Sequence, residues 1–253
     1  MRTEDIIIRL FCMVDDKLAH VNKRSNAHLY PSEIVTIGIL FTLKGVHYRA
    51  FSRWLKGDWL HLFPNLPECS RLLRLLAEYD YLTDQFLVAP QEESVIDSYG
   101  IELIHPIRQG RSPAQVGKKG LSNHRWIVGV KLCWLITPQG QIIDWAWATA
   151  NTHDQHFREV GERWTDQTEV LSDLGFRKRG HEPVNWQFCQ HGERNDRMVV
   201  ERVFSVVTVV NHLKKIFHRM EKYLTARFGY AAAMFNCLIE LAGGKLALAQ
   251  FSL

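Results

Sequence analysis

The segment WIVGVKLCWLITPQGQIIDWAWATA, residues 126–150, holds two runs rich in β-branched and aromatic residues, 126–136 and 141–150, on either side of Thr137-Pro138-Gln139-Gly140. Runs of this composition favour the pleated, half-buried surface of a strand, and a short Pro- and Gly-bearing interval reverses the chain. The segment therefore predicts a β-hairpin. On its N-terminal side SVIDSY (94–99) reads as a short buried strand; on its C-terminal side HDQHFREVGERW (153–164) reads as a helix. EVLSD (169–173) and VNWQFC (184–189) follow as two further strands, and a long helix is expected from Glu193 to Lys222. Strand, hairpin, helix, strand, strand and helix in that order imply an α/β fold with a mixed sheet flanked by helices. The apolar stretch YAAAMFNCLIELAGGKLALAQ (230–250) is expected to pack on that sheet as a last helix, which places the domain over residues 91–253.

Residues 1–90 have a different character. Pro31-Ser32-Glu33 opens an apolar run from Ile34 to Leu43 that stops at Lys44-Gly45, the signals of a helix start and end. HYRAFSRWLK (47–56) and SRLLRLLAEYDYL (70–82) add further helical patterns around the loop FPNLPE. An α-helical N-terminal region of this kind could be a helix-turn-helix-like DNA-binding unit or simply a small helical domain.

With 253 residues, 46% hydrophobic and 23% charged, the chain can bury a sizeable core, and its net charge of +4 names no partner. Five cysteines stand far apart with no CxxC pair, which fits reduced thiols rather than a zinc ribbon or a disulfide framework. No apolar stretch approaches the roughly 20 residues of a membrane span. A soluble, cytoplasmic protein with no membrane partner is expected.

Three carboxylates stand out. Asp97 and Asp173 each lie at or near the C-terminal end of an expected strand, where ligand sites in such sheets gather. Either one alone could equally be a cap or turn residue. Glu201 lies on the long helix, and at about 100° per residue it falls opposite an apolar stripe of Val199, Val203, Val206 and Val210. The same polar face carries Arg194, Arg197, His212, Lys215, Arg219 and Lys222, so a solvated face with an Arg197–Glu201 pair is the competing reading. Three such oxygen donors would suit two Mg²⁺ or Mn²⁺ ions of the kind that assist phosphodiester chemistry.

The charge pattern points to nucleic acid. Between Glu102 and Asp144 there is no acidic residue, while Arg108, Arg111, Lys118, Lys119, Arg125 and Lys131 all fall there. HPIRQGRSPAQVGKKG (105–120) reads as a flexible basic loop able to follow a phosphate backbone, and Arg177-Lys178-Arg179 comes directly after Asp173.

VIDSYGIEL, then the basic loop, the hairpin ending in ATANTHD, VLSDLGF and ERNDRMVVERVFSVV together resemble bacterial insertion-sequence transposases with a DDE motif. The likeness covers about residues 93–222, and YPSEIVTIGIL with FPNLPECSRLL extends it upstream. It implies a ribonuclease-H-like catalytic domain with Asp97, Asp173 and Glu201 as catalytic triad and metal ligands. Asn151-Thr152-His153-Asp154 matches a recurrent feature of the family. It further implies that Arg197, one helical turn before Glu201, helps to hold DNA. Arg194, Lys215, Arg108, Arg111, Lys118 and Lys119 are the other expected DNA contacts. Where many relatives have Tyr and Lys seven residues either side of the Glu, this chain has Arg194 and Thr208. Double-stranded DNA, as the element's terminal repeats and its target, is the implied partner, with a nucleoid-associated location and a dimer on DNA. A nuclease of the same fold and a non-catalytic DNA-binding remnant are the alternatives.

Overall fold

The computed structural model describes the chain apart from residues 1, 123–124, 190–197, 210–212, 217, 219, 246–250 and 252. Two compact units emerge, Met1–Phe86 with Glu221–Leu253, and Leu87–Met220.

The first unit consists of α1 (Thr3–Lys17), α2 (Pro31–Lys44), α3 (Tyr48–Asp58), α4 (Cys69–Glu78), a 3₁₀ segment Asp80–Phe86 and α7 (Glu221–Leu241). Its centre is α2. Proline opens this helix, the Glu33 carboxylate accepts from the Tyr30 N–H at 2.7 Å, and Gly45 closes it in the left-handed conformation at φ 65°. Every residue from Ile34 to Leu43 is buried. A helix apolar all round must be covered on all sides.

Much of that cover comes from α7, buried from Ala226 to Ile239. Gly38 lets the two helices close up, because a side chain there would run into the Tyr230 ring. The Tyr230 hydroxyl donates to the Leu76 carbonyl at 3.0 Å and the Asn236 amide to the Phe86 carbonyl at 2.8 Å. This corrects the expectation that the C-terminal helix belongs with the sheet at 91–253. Its Ala231-Ala232-Ala233 run suits close packing on the buried α2, a demand that the hydropathy of either helix alone does not express.

The second unit is a mixed sheet flanked by helices. Its strands are β1 (Glu93–Ile104), β2 (Lys118–Ser122), β3 (Arg125–Ile136), β4 (Ile142–Thr149), β5 (Glu169–Ser172) and β6 (Trp186–Phe188). β1 pairs antiparallel with β3, setting Asp97 opposite Trp134. β2 and β4 share the other edge of β3, β2 along residues 125–129 and β4 along 130–136. On the far side of β1, β5 and then β6 run parallel to it, with Val95 opposite Leu171. The turn between β3 and β4 closes as its sequence predicts, Gly140 at φ 90° and its N–H donating to the Thr137 carbonyl at 2.8 Å.

Side chains alternate across a sheet, so the register fixes which residues share a face. Ile96, Cys133 and Leu135 point to one face, where Phe157, Val160, Phe176 and Trp186 complete a core. Asp97, Tyr99 and Trp134 point to the other. There Phe204 of α6 (Met198–Val209) stacks on Tyr99 at 5.5 Å and on Trp134 at 5.6 Å between ring centroids.

Three further expectations change in detail. β1 runs on to Ile104, twice the length read from SVIDSY. The 153–164 helix is a 3₁₀ turn, Asp154–Phe157, followed by α5 (Arg158–Glu162). The helix expected from Glu193 to Lys222 is not continuous. The Glu102 N–H donates to the Lys214 carbonyl and the Ile216 N–H to the Glu102 carbonyl, at 3.1 and 3.0 Å, in a parallel bridge. β5 covers β1 only as far as Val95, and the polar edge beyond it finds a partner in this later segment.

Asp144 on β4 shows how a buried acid is accommodated without chemistry. Only 7% exposed, it pairs with Arg163 at 3.1 Å and accepts from the Trp164 indole N–H at 3.2 Å. Burial nevertheless outweighs Arg163 and holds its carboxyl above the ordinary value. A carboxyl that binds its proton more tightly when folded favours the folded state most at low pH, and that contribution falls as pH rises between the two values. Asp144→Asn is therefore expected to gain stability relative to the parent as pH is raised from about 4 to about 7. Urea midpoints at the two pH values measure it; an offset that does not change with pH would show that the carboxyl is not desolvated.

Candidate functional site

Register relates two of the three expected acids to one another. Val95 and Leu171 are direct partners on parallel strands, and Asp97 and Asp173 each stand two residues further on. Asp173 follows the last residue of β5 and is still extended, at φ −82° and ψ 174°. β1 and β5 are paired as far as Val95 and Leu171, so the two aspartates lie just beyond the last paired rung. Asp97 is half-buried and its Oδ1 accepts from the Ser98 N–H at 2.7 Å. Asp173 Oδ1 accepts from the Gly175 N–H at 2.8 Å, capping the 3₁₀ turn Leu174–Phe176.

Asp154 is a third acid at this end of the sheet. Its Oδ1 accepts from the Ser98 hydroxyl at 2.5 Å and from the Lys131 ammonium at 2.9 Å. A Cβ on Gly175 would lie 2.9 Å from Asp173 Oδ1 and 3.3 Å from Asp154 Oδ2, so the sum of the two distances bounds the separation of these oxygens at 6.2 Å. Glycine at 175 is what leaves this space open. Asp154 does begin the following turn, as its sequence position suggests, but its side chain is spent on β1 and β3. Ser98 and Lys131 escaped the sequence reading as site residues. Their signal was the alternation itself, which sets both on the face opposite Asp97.

Glu201 arrives from above. It lies in the first turn of α6 and is exposed. The buried face of that helix is Val200, Val203 and Phe204, with Val199 only partly covered. At about 100° per residue this moves Glu201 from the outer side of the helix, where its sequence put it, to the flank about 100° from the buried centre. Glu201 also precedes Phe204 by three residues, so the two are surface neighbours on the helix. Phe204 in turn rests on the Asp97 face of the sheet. Among the described residues no group of three or more His, Cys, Asp or Glu is gathered as a metal site.

Cys133, opposite Ser98 in the sheet, is not a competing nucleophile. Burial, then the charges of Asp97 and Asp154, hold its thiol well above the usual range.

The basic residues divide three ways. Arg194 and Arg197 lie outside the described residues, as do His124, His212 and Arg219. Arg108, Arg111, Lys118 and Lys119 are all exposed, and so are Lys178 and Arg179 beyond Asp173. Their segment is less loose than its composition suggests: Gln115 accepts from the Gly110 N–H at 2.8 Å and donates to the Gly117 carbonyl at 2.6 Å, just before β2 begins. Lys215 is committed to structure, its ammonium 2.6 Å from the nearly buried Glu102, which Arg125 also approaches at 3.4 Å.

Compared with known proteins, the chain matches no family model, no curated protein and no solved structure. Among the described residues no single helix is long and apolar enough to cross a membrane.

Proposed function

We propose that this chain is a DDE-type transposase that cuts the ends of an insertion sequence and joins the freed 3′-hydroxyls to target DNA. One observation carries the reading. Asp97 and Asp173 each stand two residues beyond the paired Val95 and Leu171 of adjacent parallel strands, and α6, which carries Glu201, packs on the sheet face of Tyr99 and Trp134. Apart from a catalytic or metal-binding role, neighbouring carboxylates repel each other and are costly to keep. A sheet with antiparallel β4, β3 and β1 and parallel β5 and β6 is compatible with the ribonuclease-H-like fold that the sequence resemblance implies.

Asp97, Asp173 and Glu201 would hold two Mg²⁺ or Mn²⁺ ions, hard cations suited to an all-oxygen donor set. When bound, such a pair activates the attacking oxygen and stabilises the leaving one in an in-line phosphodiester displacement. The protein's own part is placement. β1 carries Asp97, Asp173 caps the turn after β5, and Ser98 and Lys131 hold Asp154. Exposed Lys178, Arg179, Arg108, Arg111, Lys118 and Lys119 meet the phosphate backbone. Because two element ends must be joined, a dimer on double-stranded DNA belongs to the same proposal.

The test is cleavage and strand transfer on a labelled end of the element that encodes the chain, with Mg²⁺ or Mn²⁺. Joined products are expected, and they should disappear in Asp97→Ala, Asp173→Ala and Glu201→Ala while DNA binding persists. Cleavage without joining would make the protein a nuclease, and binding without metal-dependent chemistry would leave a DNA-binding remnant.

A further inference from the structure

The ladder of β2 and β3 carries an apolar pair that the sheet does not use. Leu121 and Trp126 are direct cross-strand partners, so their side chains lie side by side on one face, and they are 52% and 58% exposed. Lys119 is on the same face and its ammonium stands 5.2 Å from the centroid of the Trp126 ring. Lys118 and Arg125 flank them on the other face of the ladder. Single exposed hydrophobic residues are ordinary, but an exposed indole beside an exposed leucine, under a cation and in a stretch free of acids, is a specific chemical surface.

Alternation along β3 also places it. Trp126, Val128, Val130, Leu132 and Trp134 share one face, and Trp134 is the partner of Asp97. The apolar pair therefore lies on the Asp97 side of the sheet. Eight steps along β3, from Trp126 to Trp134, separate it from the Asp97 row, about 27 Å at roughly 3.4 Å per residue. DNA lying along this face from the acids would reach the pair well away from the reacting phosphate.

We propose that Trp126, Leu121 and Lys119 form a stacking platform for an unpaired nucleotide of the DNA, a role that rests on the DNA-acting function proposed above. The duplex exterior offers phosphates and sugars, which Lys119 and Lys118 could meet without an indole. The exposed face of an unstacked base is the group that an aromatic ring and a leucine recognise, with its phosphate left to the lysine. A second copy of the chain is the weaker match. Two side chains fall far short of the roughly 800 Å² per partner that a stable interface buries, and the surrounding positive charge would repel its own copy.

The experiment compares full-length protein with Trp126→Ala and Trp126→Phe in binding two fluorescein-labelled DNAs at fixed salt without metal: an oligothymidylate of about twelve nucleotides and a blunt duplex. Trp126→Ala is expected to weaken oligothymidylate binding about tenfold, Trp126→Phe to restore most of it, and both to leave duplex affinity within about twofold. Since the ring is exposed, matched melting curves will confirm that the fold is intact. Equal loss on both DNAs, or no loss on either, overturns the platform while leaving the enzyme reading in place. A change from dimer to monomer in sedimentation with unchanged DNA affinity assigns the surface to a second copy and also overturns it. Wild-type protein that binds neither DNA removes the platform and the DNA-acting function together.

Discussion

Asp97→Asn and Asp173→Asn are each expected to slow metal-dependent DNA cleavage by about 10³-fold or more, with DNA affinity within about twofold of the parent. The large effect follows from the proposed metal role, in which Asp97 on β1 and Asp173 just after β5 are separate ligands, so neither can replace the other. Asparagine keeps an oxygen for the Ser98 N–H and the Gly175 N–H that Asp97 and Asp173 now accept, and the fold should survive. Asp154→Asn should cost less, because Asp154 is tied to Ser98 and Lys131 and acts by holding the neighbourhood of Asp173. Asp144→Asn is the control: its carboxylate is turned to Arg163 and Trp164, and cleavage should be unchanged. Gel-resolved cleavage rates with each variant decide the matter. Wild-type rates in Asp97→Asn would remove the triad.

Gly129→Ala is expected to be among the most damaging small substitutions in the sheet, lowering stability by about 3 kcal/mol or more. A Cβ at this position of β3 would fall on the Ile101 carbonyl and 3.1 Å from the Glu102 Cα. The crowding arises where β1 breaks register between Glu102 and Ile104. The obstacles are backbone atoms of a paired strand, which cannot move without breaking the ladder. Gly38→Ala in the helical unit should cost less, although its Cβ would meet the Tyr230 ring, because a side chain can give where a strand cannot. Denaturation midpoints of the two variants test the order; a Gly129→Ala protein as stable as the parent would mean that the strands slide apart without penalty.

The secondary structure around the candidate site was legible because its signals are local. β-Branched and aromatic runs marked β3 and β4, the Pro- and Gly-bearing turn joined them, and short apolar runs before Asp97 and Asp173 marked β1 and β5. Those signals also fixed the parity of each strand, and hence that Asp97 and Ser98 face opposite ways. The extra length of β1 was not legible, since Tyr99 to Ile104 becomes strand only because β3 and the Lys214–Ile216 segment pair with it.

By itself, then, the sequence determined the mixed sheet, the place of Asp173 at the end of a strand and the run without acids that carries Lys118 and Lys119, whereas Asp97, expected near a strand end, lies in the middle of β1. The features that it determined depend on residues close together in the chain. Tertiary structure decided the rest. Pairing of β1 with β5 set Val95 opposite Leu171, two residues before the aspartates, the stacking of Phe204 on Tyr99 and Trp134 turned Glu201 from the far side of its helix to the flank, and the largely apolar surface of α2 drew α7 into the helical unit. Each outcome depends on which distant surface a segment must bury or which distant edge it must pair, and hydropathy along a single segment carries no record of that partner.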